Sequence, residues 1–81
     1  NLAIALWKAG DLTGAIEEFR TAERIAGPRP DLLFNLGKVL LEAGRSREAL
    51  PVLERAWEHH SDKSLVGTLL AEARRRAAGQ P

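Results

Sequence analysis

The side chains best equipped for chemistry in this 81-residue chain are two adjacent histidines, three consecutive arginines and a scattering of carboxylates. His59 and His60 invite a metal-site reading, because imidazole nitrogen is a common metal ligand. Neighbouring residues on a helix point about 100° apart, so the two rings do not converge on one ion. Helical metal sites use spacings of three or four. There is no third histidine, and Asp62 alone is a poor further ligand. The plainer reading is a helix-terminal pair that interacts favourably with the macrodipole when protonated. Arg74, Arg75 and Arg76 are candidates for binding phosphate or nucleic acid. They splay around a helix without an aromatic platform, so solvated cations near a helix C-terminus are the simpler account. Gly10, Gly14, Gly27, Gly37 and Gly44 match neither the dinucleotide fingerprint nor the P-loop. With no Cys, no Tyr and no Ser–His–acid constellation, catalysis has no support. The expectation is a chain without enzymatic role, metal or cofactor.

The elements that must position any site follow from composition and pattern. Charged residues make up 28% and apolar residues 44%, a balance suited to folding in water. The aromatics are Trp7, Phe19, Phe34 and Trp57. The absence of cysteine excludes disulfides and thiolate metal sites. No apolar stretch is long enough for a transmembrane helix, so no membrane role is expected. The chain opens on Asn1 and not Met, as expected of a piece cut from a longer protein. Net charge is +1, which is no polyanion-binding signature. Residues 1–62 hold eight basic and ten acidic side chains, while residues 63–81 hold Lys63, Arg74, Arg75 and Arg76 against Glu72 alone.

The chain matches itself at an offset of 34 residues. Asn1-Leu2 meets Asn35-Leu36, Ala9-Gly10 meets Ala43-Gly44, and Ala15 meets Ala49. Phe19 faces Leu53, and Ala22 faces Ala56. The matches fall at small and apolar positions, where packing demands them, and the mismatches are mostly polar. That pattern indicates a repeated packing unit. Leu2, Leu6 and Ala9, and likewise Leu36, Leu40 and Ala43, recur at helical spacing. Gly10 and Gly44 end those runs, and a short polar turn leads into a second helix each time. Gly27-Pro28-Arg29-Pro30 closes the first pair of helices. His60-Ser61-Asp62 closes the second, with Ser61 or Asp62 as the N-cap of a fifth helix. The pattern predicts helices over about 1–9, 13–26, 31–43, 47–59 and 62–78. Pro51 sits four or five places into its helix and is expected to cost one backbone bond and a slight bend at most.

A helix–turn–helix unit of this period with these residues resembles the tetratricopeptide repeat family. With Pro30 counted as its first position, Leu33 takes the fourth place, Leu36-Gly37 the seventh and eighth, and Leu40 the eleventh. Ala49, Leu53 and Ala56 take the later small, large and small places. Leu2-Ala3, Leu6, Ala15, Phe19 and Ala22 match them in the first copy. Ala3 and Gly37 lack bulk, so paired helices can approach closely. The third segment keeps Leu70-Ala71 but places Arg74 and Arg75 where earlier helices are apolar, as a terminal cap helix requires. The resemblance implies an all-α, right-handed superhelical stack of antiparallel helix pairs, an α-solenoid in a single domain. Residues 1–29 would form a first repeat lacking its first five positions, 30–63 a second, and 64–79 a C-terminal solvating helix.

The resemblance also implies a function, a protein–protein interaction scaffold. In the family, first helices line a concave groove that takes a peptide or partner helix. Carried over by position, the groove residues are Ile4, Trp7, Lys8, Asp31, Phe34, Asn35, Lys38, Leu41 and Glu42. Trp7 and Phe34 are either anchors for a ligand or packed against neighbours, whereas Trp57 is expected to contact the final helix. One subtype grips a C-terminal carboxylate. Here Asn35 sits at its middle Asn place, but Ile4, Leu65 and Leu69 replace the other required polar side chains, so that mode is not expected. Two rival roles are self-association through an uncovered apolar face at Leu2, Leu6 and Trp7, and nucleic-acid binding through Arg74 to Arg76.

Overall fold

Each helix begins where the sequence supplies a cap or a proline, with one exception. The structure, a computed structural model, describes residues 1–79. Helix α1 (Leu2–Lys8) starts at Asn1, whose Oδ1 accepts from the Ala3 N–H at 2.8 Å. Helix α2 (Leu12–Ala26) starts at Asp11, whose carboxylate accepts from the Gly14 N–H at 2.9 Å. Helix α3 (Pro30–Glu42) opens on Pro30, where a missing N–H costs nothing. Helix α4 (Ser46–His59) is the exception: it follows Arg45, whose side chain makes no cap bond. Arg45 instead binds Glu48 through two N–H groups, one at 2.8 Å. That hydrogen bonding, aided by coulombic attraction, holds the Glu48 carboxyl below the ordinary glutamate range. Helix α5 (Lys63–Ala78) is capped by Asp62, which accepts from the Leu65 N–H at 3.0 Å. Of the two cap candidates, Asp62 is the one used.

The turns inside both helix pairs have the same geometry, 34 residues apart. Gly10 and Gly44 adopt φ of +88° and +77°, a region that strains any residue with a Cβ. The Gly10 N–H donates to the Trp7 carbonyl at 3.0 Å and the Asp11 N–H to that of Leu6 at 2.9 Å. The Gly44 N–H donates to Leu41 at 3.0 Å and the Arg45 N–H to Leu40 at 2.8 Å. Two matching pairs of carbonyls are thus satisfied by the same Schellman arrangement.

The core runs along α3, which packs against α2 and α4 and touches α5. Leu33, Leu36, Val39 and Leu40 are fully buried there. Ala15, Ala49 and Ala56 are buried on the second helices, with Phe19 and Leu53 filling the space between, while Ala22 is only half-buried. Gly37 lies against Leu53 so closely that a Cβ would overlap its side chain. Helix α5 turns Val66, Leu70 and Ala73 inward. Trp57 does contact the final helix: a Cβ at Gly67 would come 2.8 Å from its Cζ3. Lys63 lies over the same ring, 5.3 Å from its centroid. Among the described residues there are five helices and no strand. None of these helices is long and apolar enough to cross a membrane.

Candidate functional site

Helix α3 has neighbours on most of its circumference, so little of it is left for a ligand. Asp31, Lys38 and Glu42 are exposed, Phe34 and Asn35 are half-buried, and together they form one stripe. Leu41 does not belong to that stripe. It keeps 3% of its surface and sits in the core, which corrects its placement in the groove. Its carbonyl accepts from Arg76 of α5 at 3.4 Å. A helix packed by three others needs apolar residues beyond one narrow face.

Ile4, Trp7 and Lys8 of α1 meet Asn35 and Glu42 of α3 around an open hollow of about 350 Å³. Five of the nine residues assigned from sequence thus line one cavity. Trp7 is the piece that organises it. Its Nε1–H donates to Glu42 Oε2 at 2.7 Å, linking the first helices across 35 positions of sequence. The indole meets Phe19 edge-on, with centroids 6.2 Å apart and planes at 82°. Lys38 Nζ lies over the same ring, 5.7 Å from the centroid. Trp7 is therefore a held wall of the hollow, with its indole N–H already bonded. The ammonium groups of Lys8 and Lys38 have no carboxylate within 4.0 Å among the described residues.

Further along α3, Phe34 packs on His60, ring centroids 5.7 Å apart. His60 is the C-cap of α4. Its Nδ1 accepts from the Asp62 N–H at 3.0 Å. The Nε2 of the same ring lies 3.4 Å from Asp31 Oδ1. His60 thus stands at the C-terminal end of α4 with its ring beside Phe34. His59 is exposed. On α5 the 34-residue register places Leu65 and Leu69 at the positions of Asp31 and Asn35. Leu65 keeps 47% of its surface. Sequence reasoning used both only to set aside carboxylate capture and did not assign them to the groove.

The three arginines near the end of α5 each face a carboxylate. Arg74 lies 3.9 Å from Glu54, Arg75 4.0 Å from Glu72, and Arg76 3.0 Å from Glu72. On the second helices, ion pairs join α2 to α4: Arg20 to Glu48 at 3.2 Å and Arg55 to Glu23 at 2.6 Å.

A family model described as tetratricopeptide repeat matches residues 6–73. The chain belongs to the tetratricopeptide repeat family. The match reaches into all five helices, and the family's helix–turn–helix pairing is what α1–α2 and α3–α4 show. Tetratricopeptide repeats generally mediate protein–protein interaction and are typically scaffolds without enzymatic activity. No curated protein and no solved structure gives a significant match.

Proposed function

We propose that this tetratricopeptide domain binds a segment of another protein along the face formed by α1, α3 and α5. In this reading residues 1–29 and 30–63 act as two repeats of a right-handed superhelix, and 64–79 as its closing helix. The observation that carries the proposal is the α1–α3 hollow, whose walls offer both apolar surface and polar side chains. Ile4 and the flank of Trp7 supply apolar contact, Lys8 and Asn35 supply donors, and Phe34 and Lys38 extend the same face beside the hollow. Hollows of this mixed kind suit a peptide whose anchor side chains alternate with polar ones.

The test is a pull-down comparing the chain with a Phe34→Ala plus Lys38→Ala variant, each checked for helical content by circular dichroism. Proteins retained by the first and lost by the second support the groove. A retained set that is unchanged by the double substitution moves the binding surface elsewhere. A second reading, pairing of two copies through α1, has one observation in its favour: Leu2 keeps 60% of its surface exposed. Light scattering separates the two, since a monomer at working concentration removes the pairing.

A further inference from the structure

We infer that the α1–α3 hollow selects segments carrying an acidic side chain beside an apolar one, with Lys8 and Lys38 as the receiving cations. The inference rests on the groove reading and adds the chemistry of the ligand.

Cations are partnered unevenly over the surface. Arg20, Arg45, Arg55, Arg74, Arg75 and Arg76 each have a carboxylate within 4.0 Å. Lys8 and Lys38 have none among the described residues. Lys8 lines the hollow itself, and Lys38 stands over the Trp7 ring that walls it. The one carboxylate lining the hollow, Glu42, already accepts the Trp7 indole proton. Within the lining, Lys8 balances Glu42, whose carboxylate is engaged by the indole, and the Lys38 ammonium over the Trp7 wall adds one further positive charge beside the hollow. An incoming carboxylate gains from both cations, and a lysine in its place is repelled. Beside those cations, Ile4 and the indole offer apolar walls in about 350 Å³, room for one large aliphatic or aromatic side chain. The ligand is therefore a segment in which an acidic side chain stands beside an apolar one.

The experiment is selection from a random dodecapeptide library displayed with no free carboxyl terminus, so that only side-chain carboxylates are offered. It is run on the intact chain and on a Lys8→Glu plus Lys38→Glu variant. Both lysines are exposed, so the variant is expected to keep its helical circular dichroism. The expected result is enrichment of Asp or Glu adjacent to Leu, Ile or Phe on the intact chain, and loss or inversion of that charge preference on the variant. A selected peptide with its acid changed to the amide is expected to bind about two- to fivefold more weakly at low salt, the difference shrinking as salt rises. Neutral or basic peptides that are displaced by Ile4→Ala, which removes an apolar wall of the hollow, overturn the charge preference and leave the groove standing. No enriched peptide, or peptides indifferent to Ile4→Ala, overturns both.

Discussion

A side chain at Gly37 would fall where Leu53 already is. Leu53 is fully buried, so it has no free space into which to retreat. Gly37→Leu is therefore expected to destabilise the fold by about 2 kcal/mol or more through overpacking. In a domain of this size that lowers the melting temperature by roughly 8–16 °C. Gly37→Ala is the control, because its gain of about 1 kcal/mol in helix propensity offsets part of a smaller overlap. A thermal scan showing Gly37→Leu unchanged would contradict the close approach of α3 and α4. Residue types at the packing positions were legible from their spacing alone, since only small side chains let helices approach. Leu41 was not, because its burial depends on how many helices surround α3, which no local pattern reports. Nor was the seat of His60 against Phe34, a contact between an interior helix position and the cap of the next helix.

At the scale of elements, the expected helices and the observed ones differ by at most one residue at any end. The reason is that glycine, proline and aspartate act locally: Gly44 ends α3 and Asp62 starts α5 whatever the rest of the chain does. Pro51 lies inside α4, deeper than the first turn, and α4 continues through it. Packing of Ala49, Val52, Leu53 and Ala56 holds a helix that its proline opposes. Pro51 itself is exposed, so Pro51→Ala removes the ring without disturbing the core. The substitution is expected to stabilise the chain by about 1–3 kcal/mol. Thermal unfolding of the variant checks it, and a lowered melting temperature would mean that the proline is needed where it stands.

Across the whole molecule, the helices are held very unequally. Helix α3 has six buried residues and α1 has one, Ala3. Helix α1 is also only seven residues long, too short to persist without its packing. Amide hydrogen exchange is expected to show α1 opening well below the global unfolding energy, with α3 protected up to it. Equal protection of the two would mean that packing on α2 and the Trp7–Glu42 link together secure the first helix. That link has no counterpart in the sequence pattern, because it joins two side chains 35 positions apart that periodicity treats as separate surface residues.

The seams on the two sides of the molecule are of different kinds. Two guanidinium–carboxylate clasps stitch α2 to α4, whereas an indole bridges α1 and α3. Added electrolyte weakens exposed clasps of that sort and has far less hold on an uncharged donor. A briny solvent would thus slacken the spine first and leave the mouth at its resting width.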